Sequence, residues 1–344
     1  MWGNSSRVTI HCMTILKPKH LNMGDKIGLV APSFPFPVDG VGSADYVRQY
    51  LDGKSEIEKM GFVLVEGKNL KKSRWWMGGI PQERAEDINL MFANPEIKAI
   101  IAHDGGNATI DILEHLDFDL IKNNPKPFIG FSDITTILVE LFTKTGLVGF
   151  HMGLLSYTLG YVWHKIINNE ITLRRGREIY LKVLASTQPV RLLPKFTNWE
   201  SWRGGKAEGS LFGGNLSMLV SLIGTKYFPP INELRSAILF WEIDNTQSYR
   251  IHKGLYQLKY FGVFDVISGM IVGKLPDIKP TGWDALYNPT PREILMDIVK
   301  DYTFPILGEV DFGHKNINIP MPIGINTKID ADDLNIEFTE SAVV

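Results

Sequence analysis

Three residue types that together can open an amide bond each stand just past an apolar run. Ser132 belongs to Pro127-Phe128-Ile129-Gly130-Phe131-Ser132-Asp133-Ile134-Thr135-Thr136, Glu242 ends Ala237-Ile238-Leu239-Phe240-Trp241-Glu242, and His314 follows Pro305 to Val310 through Asp311-Phe312-Gly313. A serine hydroxyl is a poor nucleophile until a histidine takes its proton, and the histidine works best when a carboxylate orients the ring and stabilises the imidazolium. Each residue also has a plainer reading. Ser132 or Asp133 can be a helix N-cap. Glu242 can be a capping or ion-paired carboxylate, because burying it unpaired is expensive. A lone histidine at a strand end can be structural. The spacing does not establish that the three meet.

The elements that must position them are legible. Pro127 to Ile129 reads as a buried strand and Ile134 to Thr145 as a helix, so Ser132 falls where a strand turns sharply into a helix. That turn exposes a hydroxyl beside free helix N–H groups, as a nucleophile elbow does, although Ile134 stands where the second glycine of G-x-S-x-G would be. Further strands are expected over Lys26 to Ala31, Phe62 to Val65 and Lys98 to Ala102, with helices over Ala44 to Met60, Gln82 to Phe92 and Thr109 to Leu116. Strands alternating with helices predict a parallel sheet covered on both faces, with ligands beyond the strand C-terminal ends. Ala102 to Asn107 and Ser132 both lie at such ends. Gly105-Gly106 could bring backbone N–H groups to an oxyanion or make a tight turn. Beyond a region of weaker pattern, strands are expected over Ala237 to Trp241, Ile267 to Val272, Pro305 to Val310, Ile325 to Ile329 and Leu334 to Phe338. Trp199 and Trp202, beside Gly204-Gly205, could stack on a flat ligand or pack an inter-domain loop.

Bulk properties exclude several classes. A net charge of −2 gives no electrostatic case for a nucleic acid polymer or an acidic membrane surface. The one cysteine, Cys12, allows no internal disulfide and no cysteine-rich metal site. The eight histidines show no HxH or HExxH spacing, and no G-x-G-x-x-G follows a strand, so neither a catalytic metal nor a nicotinamide cofactor is expected. No apolar run approaches a membrane span, and Met1 to Cys12 lacks the apolar core of a signal peptide, so the cytoplasm is the expected compartment. Met13 and Met23 are alternative starts, and residues 1–20 are expected to be a non-native or disordered extension. The expected organisation is an α/β domain over 21–165 carrying the nucleophile, a linker and substrate loop over 166–205, and a second domain over 206–344 carrying Glu242 and His314.

At these residues the chain resembles the serine peptidases that include the LD-carboxypeptidases and the microcin C immunity peptidases. The resemblance rests on Gly24-Asp25-Lys26-Ile27-Gly28 with Ala31-Pro32-Ser33, Gln82-Glu83-Arg84-Ala85, Gly105-Gly106, Gly130-Phe131-Ser132-Asp133, Gly209 to Leu216 with its Gly-Gly-Asn-Leu, Leu239-Phe240-Trp241-Glu242, Gly262-Val263-Phe264, and Gly313-His314 followed by Pro320-Met321-Pro322-Ile323-Gly324. It implies Ser132 as nucleophile, Glu242 as orienting carboxylate, His314 as general base, and an oxyanion hole from the backbone of Gly106 and Asp133. It also implies an N-terminal parallel-sheet α/β domain and a C-terminal β-rich α/β domain, with the active site in the cleft between them. Gly105, Asn107, Trp199 and Trp202 are the expected substrate contacts. The run Trp241-Glu242-Ile243-Asp244-Asn245-Thr246 lacks the second glutamate usual in the carboxypeptidase branch, and His151-Met152-Gly153 replaces the usual His-Gly-Pro. The Trp199 to Trp202 loop is similar to the immunity branch, where a tryptophan is thought to stack on a nucleobase. The expectation is a cofactor-free hydrolase acting on a small peptide or peptidyl-nucleotide, with murein tetrapeptide LD-carboxypeptidase as alternative and a homodimer left open. A non-catalytic binding protein on the same scaffold is the competing class.

Overall fold

A computed structural model describes residues 14–36, 44–244, 246–276 and 289–344. Its first half alternates β1 (Lys26–Val30), α1 (Ala44–Lys59), β2 (Val63–Glu66), α2 (Pro81–Ala93), β3 (Ile97–Ala102), α3 (Phe118–Asn123), β4 (Phe128–Gly130), α4 (Thr135–Thr145) and β5 (Gly149–His151). A wide helical segment, Leu155–Ile167, and α5 (Glu170–Ala185) follow. The second half holds β6 (Glu200–Arg203), β7 (Lys206–Asn215), α6 (Leu216–Leu222), β8 (Ile238–Glu242), α7 (Ser248–Phe261), α8 (Val263–Val266), β9 (Gly269–Gly273), α9 (Pro291–Ile298), β10 (Ile306–Val310), β11 (Met321–Ile323), β12 (Asn326–Asp330) and β13 (Asn335–Phe338).

Two sheets result. The first runs β11-β5-β4-β3-β1-β2, parallel throughout except for β11, which lies antiparallel on β5. The second runs β13-β12-β7-β8-β9-β10-β6. Its centre, β7 to β10, is parallel, and β6, β12 and β13 close its edges antiparallel. The central strands are buried on both faces, which is why β1, β3, β4, β8 and β9 read as nearly continuous apolar runs. Crossover helices make the parallel pairing possible. The expected two-part α/β architecture therefore holds, with one addition: β11, from the second half, completes the first sheet.

The halves meet at the N-terminus of α4. A Cβ on Gly214 would lie 2.3 Å from the Thr135 side chain, so only glycine lets the end of β7 come this close. The next amide, Asn215 N–H, donates to Thr135 Oγ1 at 3.0 Å.

Two expectations about organisation are corrected. Residues 166–205 are not simply a linker, because α5 occupies much of them. Its Leu173, Ile179, Tyr180, Val183 and Leu184 are buried at helical spacing between charged residues that solvate the outer face. The expected extension over 1–20 falls partly outside the described residues, at 1–13, but 14–20 are packed into the fold. Leu16 pairs with Leu147 as an isolated bridge, and His20 N–H donates to the Val344 carbonyl.

Candidate active site

Ser132 follows β4 by two residues and has φ of +60°. Left-handed backbone at a non-glycine residue is strained, and it turns the side chain out of the strand-to-helix corner. Gly105 makes room for it: a Cβ there would stand 3.2 Å from Ser132 Cβ and 3.3 Å from its Oγ. Asp133, buried, fixes the loop that crosses the corner. Its Oδ2 accepts from Ser33 Oγ at 2.5 Å, Ala108 N–H at 2.8 Å and Thr109 N–H at 3.0 Å. Asp133 therefore caps the short helical turn Thr109–His115 rather than its own helix, and it ties the ends of β1 and β3 to the Ser132 turn.

From the other sheet, β8 ends in Glu242, which is fully buried. Its Oε1 accepts from Asn215 Nδ2 at 3.0 Å, and its Oε2 is 2.6 Å from His314 Nδ1. His314 Nε2 lies 3.2 Å from Ser132 Oγ. A neutral imidazole fits this chain by donating from Nδ1 to the carboxylate and accepting the serine proton at Nε2. Burial works against the charge on Glu242, yet the facing imidazole holds its carboxyl below the ordinary range. Burial likewise works against a charged His314, but the Glu242 carboxylate raises its pKa.

The loop bearing His314 is clamped by elements that sequence reasoning left unassigned. Tyr157 Oη donates to the His314 carbonyl, Trp163 Nε1 to the Ile317 carbonyl and Tyr180 Oη to the Asn318 carbonyl. Asp311, buried, grips the 196–199 segment through the Phe196 and Thr197 amides, Thr197 Oγ1 and Trp199 Nε1. Behind the imidazole, His151 packs among Phe131, Phe240 and Phe312 with both ring nitrogens unpartnered, and burial holds its pKa down to about 4. It is a neutral wall. Asp104, beside His314, is pushed up to about 6 by burial.

A cleft of about 520 Å³ opens over Ser132, lined by Gly106, Asn107, Asp133, Asn215, Met218, Asp244 and Arg250 among others. Gly105, Gly106, Asn107, Ser132, Asp133, Glu242 and His314 are thus brought together. Trp199 and Trp202 are not. Both indoles are buried, at 4% and 7% exposure, and neither lines the cleft, so the expected base-stacking role is corrected. Trp199 is spent on Asp311, and Trp202 Nε1 donates to Glu200 Oε2 at 2.9 Å. Asn215, Asp244 and Arg250 were missed as site residues. Asn215 could have been found from its place at a strand end in Gly-Gly-Asn-Leu. Among the described residues no group of three or more His, Cys, Asp or Glu is placed to hold a metal ion, and no helix is long and apolar enough to cross a membrane.

Comparison with known proteins agrees across nearly the whole chain. The pattern of the LD-carboxypeptidase N-terminal domain matches residues 27–152, and that of the LD-carboxypeptidase C-terminal domain matches residues 208–329. The chain is 31% identical to the probable murein peptide carboxypeptidase of Bacillus subtilis, over 90% of this chain and 89% of that protein. It is 29% identical to the microcin C7 self-immunity protein MccF of Escherichia coli, over 93% and 94%. A solved structure of MccF in complex with glutamyl sulfamoyl guanosine superposes with a TM-score of 0.84 at 27% identity, covering 96% of this chain and all of the other.

Proposed function

The chain belongs to the LD-carboxypeptidase family of serine peptidases, and from that premise we propose that Ser132, His314 and Glu242 act as its nucleophile, general base and orienting carboxylate. The reading rests on one chain of contacts, Glu242 Oε2 to His314 Nδ1 at 2.6 Å and His314 Nε2 to Ser132 Oγ at 3.2 Å. Ser132 Oγ attacks the scissile carbonyl carbon while its proton passes to His314 Nε2. The amides of Gly106 and Asp133 hold the oxyanion. As the tetrahedral adduct collapses, the C–N bond breaks and the imidazolium protonates the leaving nitrogen. A water then gives its proton to His314, attacks the acyl ester on Ser132, and releases the acid and the free serine.

The substrate we favour is a small aminoacyl or peptidyl conjugate of a nucleotide, in line with the ligands named in the MccF complexes and the extent of that structural match. The second reading, a murein peptide carboxypeptidase, is supported by the identity to the Bacillus subtilis protein.

The test is to incubate the protein with an aminoacyl sulfamoyl adenosine and with a murein tetrapeptide, and to identify products by mass. Cleavage of the first at the amide supports the favoured substrate; cleavage of the tetrapeptide alone supports the second. Ser132→Ala should lower turnover by about 10⁴-fold or more with the fold intact. A Ser132→Ala protein that keeps the wild-type rate would overturn the nucleophile assignment.

A further inference from the structure

Arg250 is the only cationic side chain among the described residues lining the cleft over Ser132. It is exposed and occupies the first turn of α7, the positive end of that helix, where a cation is electrostatically disfavoured. No acidic residue stands in the first turn, and among the described residues the guanidinium makes no ion pair; it lies 6.0 Å from the Tyr249 ring. Asp244 lines the same cleft without pairing to it, and its charge acts instead on His314, as does that of Asp104. With Glu242 behind the imidazole, the catalytic end is rich in carboxylates. An anionic substrate group entering there would be repelled unless a cation met it.

We infer that Arg250 is the specificity residue that binds a negative charge on the leaving-group side of the scissile amide. The inference rests on the hydrolase reading above. A carboxypeptidase substrate carries its free carboxylate within two bonds of the scissile nitrogen. An aminoacyl sulfamoyl nucleoside carries a sulfonyl directly on that nitrogen, and the acidic N–H between the two leaves a negative charge shared with the sulfonyl oxygens. Both substrate classes therefore present an anion at nearly the same distance from the bond to be cut. A guanidinium suits either, since its donor fork matches planar carboxylate and tetrahedral oxyanions alike.

The experiment measures binding, so it does not depend on turnover. The Ser132→Ala protein is titrated calorimetrically with a murein tetrapeptide, with the same peptide as its C-terminal carboxamide, and with an aminoacyl sulfamoyl adenosine. We expect an anionic probe to bind about ten- to a hundredfold more tightly than the carboxamide. Adding Arg250→Gln should erase that margin and leave carboxamide binding unchanged, while Arg250→Lys should keep part of it. A loss confined to the tetrapeptide assigns the site to a carboxylate, and one confined to the sulfamoyl compound to a nucleotide-type acid. Equal affinities for anionic and neutral probes, a margin that survives Arg250→Gln, or no binding of any probe overturns the assignment. Failure of the serine mechanism is read separately, from turnover in Ser132→Ala alone.

Discussion

The two sheets equip the cleft in different ways. The first contributes shape: a left-handed backbone at Ser132, a missing Cβ at Gly105, and neutral donors gathered on Asp133. The second contributes charge: a fully buried Glu242 held by Asn215 and answered by His314. Damage to the first half should misplace the nucleophile, whereas damage to the second should alter who carries a proton. Rate and pH dependence can tell these apart.

After loss of the nucleophile itself, the largest expected effect is on the charged side. Glu242→Gln keeps the volume but removes the anion that orients and stabilises the imidazolium, so kcat/KM should fall by about a thousandfold or more. Its acidic limb should move to lower pH, because the strongest influence favouring the charged ring is removed while burial, which disfavours it, remains, with only Asp244 and Asp104 still acting the other way. An acidic limb that stays in place would show that Glu242 does not set the histidine's proton affinity.

Gly105→Ala is the matching test of the shaped side. The added methyl presses on Ser132 Cβ and Oγ at 3.2 and 3.3 Å. Moving the hydroxyl off His314 should cost roughly ten- to a hundredfold in kcat/KM, with the pH limb unmoved. A shifted limb with an unchanged plateau would break the division of labour drawn here.

The smallest effect is in the wild-type protein and has two opposite signs. The His314 pKa is raised in the folded state, so its contribution to stability is complete below the unfolded value near 6.5 and is lost as pH rises through the folded value. On the proposed mechanism activity needs the neutral ring and should rise over the same window. Glu242, lowered in the fold, contributes above its unfolded value and loses that contribution only in acid. Melting temperature should therefore fall while kcat/KM climbs across that window. Parallel rise of both would contradict the pairing.

Much of this was legible in the sequence, for physical reasons. Buried parallel strands are short and apolar, and glycine or proline bounds most of them, so β1, β3, β4, β8 and β10 could be read directly, and with them the positions of Ser132, Glu242 and His314 at their ends. The strands β5 and β11, as short as β4 but without the strand-to-helix turn at Ser132 that marks it, carry too little pattern to read. In α5 the buried stripe is diluted by Arg174, Arg175, Arg177 and Glu178, which hid the helix among charges. Of the two readings of Trp199, the structure has the packed one, although the stretch is polar and glycine-flanked. Its actual partner, Asp311, lies 112 residues away in the chain, and no local pattern reveals a contact of that span.

The β11 crossover has a consequence for how the protein is made. Strands β1 to β5 are complete in the chain by His151, but the outer edge of β5 stays open until Met321–Ile323 arrives to pair with it. Synthesis at about 5–20 residues per second leaves that edge uncovered for roughly ten to thirty seconds on each nascent chain. An open strand edge is a template for pairing with another molecule. Through the same interval Ser132 lacks the base proposed for it, since His314 is made only seven residues before Met321. The late strand thus ends the period in which the growing chain is both inert and adhesive, and crowding of nascent chains, rather than premature hydrolysis, is the hazard that this topology sets during production.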